Sequence, residues 1–302
     1  MRDNSVVLGI DIGGSHATAA LVNLQTCTLL TGSRARREIN SQGTVAEIMD
    51  DWCVVVENAI KGSREFSGRV GIAMPGPFDY PAGISLIQGQ NKYDMLYKLN
   101  VKELLAERLL IAPEHIRFMN DAECFLQGEV VCGAAKGYQS AVGLTLGTGF
   151  GSSIYQNGRA KDAELWCAPF KGGIAEDLLS TRWFVKRYFE LTGHEVKGVK
   201  ELAALAAEDS KVQEVFDEFG QNMALFLGAL IEQEKPEVVV IGGNISKTYR
   251  LFSSTLLACL QEDGSSTPIR IAELGEESAL VGAAATWIKT RQEEVETEVQ
   301  EG

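Results

Sequence analysis

The sequence predicts an α/β protein built from two similar domains, and three observations carry that expectation. Its 302 residues are long for one core and comfortable for two. Residues 6–15, VVLGIDIGGS, read as a buried strand interrupted by one carboxylate, Asp11, and closed by a glycine turn, after which apolar residues return at 17–22. Residues 9–15 (GIDIGGS) also overlay residues 143–149 (GLTLGTG) without a gap, and the second copy leaves through another apolar strand at 152–155. Two strand–glycine–strand hairpins, each opening one half of the chain, imply two like domains that face one another. A carboxylate inside an apolar strand is costly unless something nearby satisfies it, and glycines let backbone N–H groups approach an anion closely. Together they predict a site for phosphate and a metal ion.

After the first hairpin comes a third strand, at about 26–33. Val45, Ile48, Met49, Trp52, Cys53, Val56 and Ile60 then recur at helical spacing, which predicts an amphipathic helix to about residue 60. Residues 70–74 form a short strand that Pro75, Gly76 and Pro77 stop. The polar, glycine-rich stretch 75–100 reads as a loop, and so long an irregular segment in a compact domain is more often functional than idle. A helix at 101–109 and a strand at 116–119 complete the first half. Asn120 and Asp121 stand where that strand gives way to a helix. They read equally as a helix cap, with Glu123 in the first turn, and as a carboxylate at the carboxyl end of a strand, where open α/β sheets place their ligands.

The second half repeats the order with a hairpin at 140–156, irregular chain, and then helices. The longest helix spans 210–234, with Val212, Phe216, Phe219, Met223 and Phe226 among its inner face, and Pro236 ends it. A buried strand at 238–241 runs into Gly242, Gly243 and Asn244. A helix at 246–260, a last strand at 269–272 and a terminal helix from Ser278, rich in small residues at 282–285, follow. Residues 292–302 are acidic and nearly free of large apolar side chains, which predicts a solvated tail.

Apolar residues at 45% and charged residues at 23% are ordinary for a globular chain. A net charge of −13 argues against a nucleic-acid-binding surface, which needs a basic stripe. It still permits phosphate to be held through glycine amides and a divalent cation. Nothing approaches the roughly 18 apolar residues of a membrane span, and the N-terminus enters the first strand almost at once, which leaves no room for a signal peptide. The six cysteines, at 27, 53, 124, 132, 167 and 259, contain no C-x-x-C pair. Neither a disulfide framework nor a cysteine-rich zinc site is expected, and a reducing cytoplasm is. The three histidines, at 16, 115 and 194, are too separated to support a His-based metal site.

On these segments the chain resembles the ROK family of sugar kinases and regulators, within the actin/hexokinase/heat-shock ATPase superfamily. The matching segments run almost end to end: GIDIGGS at 9–15, GIAMPGPFD at 71–79, NDA at 120–122, TLGTGFG at 145–151, Glu164, VVVIGGN at 238–244 and ESALVGAA at 277–284. Each is weak alone, and their order and spacing together are specific. The resemblance implies two duplicated ribonuclease H-like domains, the actin-like ATPase fold, around an interdomain cleft. Residues 1–119 would form the N-terminal domain, completed by a helix at 287–302, and 120–286 the C-terminal one.

The resemblance also implies a site. Asp11 would organise Mg2+ through water, with Gly13, Gly14 and Ser15 along the phosphates of ATP. Gly147, Thr148 and Gly149 would close on the same phosphates, and Gly242, Gly243 and Asn244 would pass beside the adenosine. Asp121 matches the family's catalytic base, which accepts the proton of the attacking sugar hydroxyl. A carboxylate is a weak base toward an alcohol, so its task is largely orientation until the hydroxyl acidifies during transfer. Asn120, Gln90 or Asn91, Glu164 and Glu176 would hold the hydroxyls of a monosaccharide by paired hydrogen bonds. Asp79 would brace the long loop. Trp166 either stacks on a sugar face or fills the core, and the core reading is preferred. A Rossmann dinucleotide site competes for the glycine clusters, and the strand-like runs that follow them disfavour it.

The departures matter. Where the family has E-x-G-H, this chain reads ELWC, so that Cys167 stands in place of the His and weakens one sugar contact. PFKGGIA at 169–175 replaces the zinc-binding cysteine segment of many relatives, so no zinc is expected and packing must hold that segment. His16 stands where Lys is frequent, and Ser15 where Thr is usual. The resulting expectation is an ATP-dependent, glucokinase-like hexose kinase that acts as a homodimer without nucleic-acid or membrane partners. One rival is a ROK transcriptional regulator, disfavoured because only five residues precede the first strand and leave no helix-turn-helix domain. The other is a sugar-binding or regulatory relative that has lost activity, for which Cys167 is the best support.

Overall fold

The computed structural model describes residues 5–288. The helix expected at 287–302 lies almost wholly outside the described residues, and the acidic tail at 292–302 entirely so. The chain runs through β1 (Val6–Ile12), β2 (His16–Asn23), β3 (Thr28–Leu29), β4 (Ala35–Glu38), α1 (Val45–Ile60) and β5 (Val70–Met74). A small hairpin, β6 (Phe78–Asp79) and β7 (Ile84–Ser85), precedes α2 (Val101–Leu109), β8 (Ile116–Asn120) and α3 (Asp121–Cys132). Next come β9 (Ala141–Leu146), β10 (Phe150–Gln156), β11 (Arg159–Asp162) and a second small hairpin, β12 (Pro169–Phe170) and β13 (Gly173–Ile174). The remaining elements are α4 (Ala175–Leu179), α5 (Thr181–Thr192), α6 (Val199–Ala204), α7 (Ser210–Glu234), β14 (Val238–Gly242), α8 (Ser253–Glu262), β15 (Ile269–Ile271) and α9 (Ser278–Ala285).

Two sheets repeat one pattern. The first has the order β3–β2–β1–β5–β8, with β4 also on β2; β2 is antiparallel to β1, and β5 and β8 continue in parallel. The second has the order β11–β10–β9–β14–β15, with β10 antiparallel to β9 and then β14 and β15 parallel. The repeated glycine motif therefore marks the same place in two copies of a ribonuclease H-like sheet, as expected. In the first unit Leu8, Ile10 and Ile72 bury against Ile48, Met49 and Trp52 of α1, a helix that a Thr44–Glu47 capping box starts. In the second, Phe216, Phe219 and Met223 of α7 share a core with Val142, Leu144 and Phe184. No helix among the described residues is long and apolar enough to cross a membrane.

The chain divides into two compact units at places other than those expected. The first holds the described residues to Lys136, Asn157–Ala160 and those from Glu276 onward; the second holds Gly137–Gln156 and Lys161–Gly275. The boundaries at 119 and 286 are thus corrected, because α3 and α9 both belong to the first unit. Backbone packing is the reason. A Cβ on Gly282 would fall 1.7 Å from the Cys124 carbonyl oxygen, and one on Gly128 would fall 2.1 Å from that of Ser278. The small residues of α9 let two helix backbones touch. Glu129, fully buried on α3, seals the contact by accepting from Ser278 Oγ at 2.6 Å and from Ala134 N–H at 2.8 Å. Gly282→Ala is expected to cost about 1–3 kcal/mol by overpacking. Urea denaturation measures this, and an unchanged midpoint would show that the helices part freely.

Cys27, in the turn between β2 and β3, and Cys132, at the end of α3, form a disulfide with Cα atoms 5.3 Å apart. This corrects the expectation of no disulfide. The two lie 105 residues apart, a separation that carries no spacing signal, and only the fold brings them together. It also removes the cysteine argument for a reducing compartment. Cys53, Cys124, Cys167 and Cys259 are free. Thiol titration of the denatured, unreduced protein should therefore count four thiols and six after reduction; six in both would refute the pair.

Candidate active site

In the first unit β1 carries Asp11 to the sheet's edge of turns, flanked by Thr18 of β2 and Ala73 of β5. Its carboxyl is pushed up to about 6, by burial first and by the charge of Asp121 second, while Arg36 pulls the other way. The turn after β1 is closed by the Gly13 N–H, which donates to the His16 carbonyl at 2.9 Å. Gly14 and Ser15 are exposed on it, and Ser15 Oγ lies 3.0 Å from His16 Nδ1.

The loop at 75–100 supplies groups that sequence reasoning missed. Tyr93 is fully buried, edge-on to Trp52 with ring centres 5.4 Å apart. Its N–H donates to the Ser41 carbonyl at 2.7 Å and its hydroxyl donates to the Gly13 carbonyl. Burial pushes that hydroxyl's pKa up, so it stays a donor to the glycine turn. Lys92, one residue earlier, comes to lie over Gly14, its Cδ 3.7 Å from where a Cβ there would stand. Asn91 is exposed with a φ of 56°, its carbonyl accepting from Gln42 Nε2 at 2.9 Å. Asp79 accepts from the Ala82 N–H at 3.0 Å, the brace within this loop that was expected of it. An aromatic among polar loop residues was the one available sign of Tyr93.

At the start of α3 the cap reading of the Asn-Asp pair falls on Asn120, and Asp121 is left exposed. Asn120 is buried; its Oδ1 accepts from the Ala122 N–H at 2.8 Å as a helix cap, and its Nδ2 donates to the Tyr80 hydroxyl at 3.1 Å. Asp121 is exposed, with one oxygen accepting from the same Ala122 N–H at 2.9 Å. The amide of Asn120 is therefore largely spent on the fold, while Asp121 presents its carboxylate to solvent.

In the second unit the turn between β9 and β10 is closed by the Gly147 N–H, which donates to the Gly149 carbonyl at 3.0 Å. Thr148 is exposed at its tip. Gly243, with a φ of 83°, packs so close behind this turn that a Cβ would stand 2.3 Å from the Leu146 carbonyl oxygen. The structure thus brings Gly242, Gly243 and Asn244 up to Gly147, Thr148 and Gly149. Asn244 is exposed and accepts from Lys247 Nζ at 3.0 Å. Glu176 faces the same turn: one carboxylate oxygen accepts from the Phe150 N–H at 3.0 Å, and the other pairs with the Arg182 guanidinium. Expected on a sugar, its carboxylate is engaged with the glycine turn and Arg182.

Glu164, exposed with a φ of 49°, opens the one-turn helix that carries Trp166 and Cys167. The exposed Cys167 thiol donates to the Glu164 carbonyl at 3.3 Å. Trp166 is 48% exposed, which overturns its core reading. The segment in place of the zinc cysteines forms the β12–β13 hairpin. Packing holds it, as expected: Phe170 meets Phe226 edge-on at 5.6 Å, and Lys171 Nζ donates to Asn222 Oδ1 at 2.6 Å.

A glycine turn after the first strand of each of two ribonuclease H-like sheets defines the actin-like ATPase class. The sequence matches the ROK family over residues 7–165 and 161–290, and the chain belongs to that family. An N-acetyl-D-glucosamine kinase of Mannheimia succiniciproducens is 25% identical over 316 residues, covering 94% of this chain and 99% of the relative. The ROK hexokinase from Thermus thermophilus shares the fold with a TM-score of 0.76 at 23% identity, over 98% of this chain and 100% of the other. A ROK family glucokinase from Streptomyces griseus, solved with glucose and AMPPNP, superposes with a TM-score of 0.71 at 22% identity, over 95% and 99% of the two chains.

Proposed function

We propose that this chain is a sugar kinase that moves the terminal phosphoryl group of ATP onto a hydroxyl of a hexose or N-acetylhexosamine. One observation carries the reading: Asp121 presents an exposed carboxylate whose charge reaches Asp11 beside the first glycine turn. Asp121 orients the attacking hydroxyl and takes its proton as the bond to phosphorus forms. Gly13, Gly14 and Ser15 with Lys92 in the first unit, and Gly147, Thr148 and Gly149 in the second, offer amides, hydroxyls and one cation to the phosphates. Asn91, Glu164 and the exposed face of Trp166 are the sugar contacts, and Gly242, Gly243 and Asn244 border the nucleoside.

Asp11 fits a magnesium ion. Its carboxyl is raised by burial and by a second carboxylate, with Arg36 opposing, and a hydrated divalent cation would favour its ionised form. Among the described residues no three His, Cys, Asp or Glu side chains gather as a metal cluster. A cation here would rest on Asp11, water and phosphate oxygens, the mixture magnesium favours. When bound, it would neutralise charge on the phosphates.

The kinase named among the relatives acts on N-acetyl-D-glucosamine, whereas the Streptomyces structure holds glucose. A coupled ADP-release assay across glucose, mannose, fructose and the N-acetylhexosamines separates these substrates. ADP release with at least one of them is expected. Cys167 favours a second reading, a sugar-binding protein without turnover. Calorimetric binding of a sugar with no ADP release from any would establish that reading and reject the first.

A further inference from the structure

The second unit contains a cleft of 720 Å³ beside the Gly147–Gly149 turn with a predominantly basic set of charged side chains. The protein carries a net charge of −13, yet three cations, Arg182, Lys186 and Lys197, line this cleft against a single carboxylate, Glu176. The threonines at 148 and 181 add hydroxyls. Val185 is the one aliphatic side chain in the lining, and no aromatic ring is present to stack on a base. We propose that Arg182, Lys186 and Lys197 form a subsite for a condensed phosphate chain, either that of a nucleoside triphosphate or an inorganic polyphosphate. The proposal rests on the kinase reading above and adds three residues to it.

The local structure explains how the cations are aimed. The Thr181 N–H donates to the Gly147 carbonyl at 2.8 Å, which pins the first turn of α5 to the glycine turn. Arg182, Val185 and Lys186 then fall on one face of α5 at i, i+3 and i+4, and that face lines the cleft. Arg182 holds Glu176, which in turn accepts from the Phe150 N–H at 3.0 Å. Its side chain is 65% exposed, and a guanidinium so placed can offer its remaining N–H groups to phosphate while it keeps Glu176. Lys186 has only a loose surface contact with Glu190 at 3.8 Å. Lys197 has its backbone N–H fixed by Glu201 at 2.7 Å, and its ammonium has no ion-pair partner among the described residues. Cations left exposed beside a phosphate-binding turn are placed to serve an anion of several charges.

The test is direct binding of tripolyphosphate by calorimetry at low salt, on the full chain and on the double variant Lys186→Gln/Lys197→Gln. Neither side chain takes part in the Arg182–Glu176 pair, so the melting temperature without ligand should not move. Tripolyphosphate affinity should fall about tenfold or more, the scale of losing charge-assisted contacts. Lys186→Arg/Lys197→Arg should restore it, and Arg182→Gln should weaken it as well. Steady-state rates distinguish the two sources. Sugar phosphate formed from long-chain polyphosphate without nucleotide identifies the inorganic donor. A KM for ATP raised about fivefold or more in the double variant, with the sugar KM unchanged, identifies the nucleotide's phosphates. Failure of tripolyphosphate to bind the wild-type chain, or an affinity in the double variant within about twofold of wild type, would overturn the subsite even if sugars are phosphorylated. Binding that the variant loses, with no sugar phosphorylated by either donor, would leave the subsite standing and remove the kinase reading.

Discussion

Asp121→Asn is expected to reduce phosphoryl transfer about a thousandfold, near 4 kcal/mol in the barrier, and to leave the fold almost untouched. The two halves of that expectation come from different atoms. Asp121 is exposed, and its carboxylate accepts from the Ala122 N–H at 2.9 Å. An asparagine oxygen can accept the same bond. The change removes a negative charge from the first turn of α3, worth about 0.3–1 kcal/mol against the helix dipole, while Asn120 continues to cap the helix. What asparagine cannot do is receive a proton. The loss should therefore appear in single-turnover phosphorylation with little change in sugar affinity, and the melting temperature should fall by only about 2–4 °C. Transfer within about tenfold of wild type would remove Asp121 from the base role.

The parts of the molecule that were legible in the sequence are those whose cause is local. The helices α1, α2 and α7 were expected from sequence alone, and the structure starts them on caps at Thr44, Asn100 and Asp209. The glycine hairpins announce themselves because each turn interrupts an apolar strand, and their repetition in the sequence matches the duplicated sheet. Failures occur where contacts distant in sequence decide. The strand expected at 26–33 shrinks to Thr28–Leu29, because the backbone reverses at Cys27 and Gly32, with φ of 57° and 78°. Within what reads as irregular chain, α5 forms where Arg187 reaches α7 and pairs with both oxygens of Glu218, at 2.6 and 2.7 Å.

The same division holds among the candidate site residues of each unit. Asp11, Asp121 and the glycines are visible because they stand at the ends of strands. Tyr93, Lys92 and Arg182 are not, because each reaches the glycine turn of its own unit only through a tertiary contact, with Gly13, Gly14 and Glu176 respectively. Glu176 shows the limit most clearly. Its position in the chain was legible, and the direction of its carboxylate, toward the Phe150 N–H and Arg182, was not. The domain boundary failed for a related reason. The closeness of α3 to α9 depends on Gly128 and Gly282 meeting across the fold, which no window of sequence contains.

Asp11→Asn should make the metal-free protein more stable near neutral pH and at the same time all but inactive. Burial and the charge of Asp121 raise the Asp11 carboxyl from its ordinary 3.8 to about 6, a difference worth about 3 kcal/mol between its two protonation states. Because the folded-state value is the higher one, the stability due to a neutral Asp11 is fully present below about pH 4 and is lost as pH rises through about 6. Above that pH the folded chain, stripped of metal by a chelator, holds a charge it disfavours. Asparagine removes that charge. Urea unfolding should then show the variant more stable than wild type by about 1–3 kcal/mol near pH 7, with the gap closing by about pH 4. Magnesium with ATP should stabilise wild type more than the variant, since a ligand stabilises in proportion to its binding. Activity should fall about a hundredfold or more if, as proposed, Asp11 is the group that gathers a cation's waters beside the phosphates. A gap of the same size at both pH values would show that the asparagine acts through packing, and full activity in the variant would show that no cation is held there.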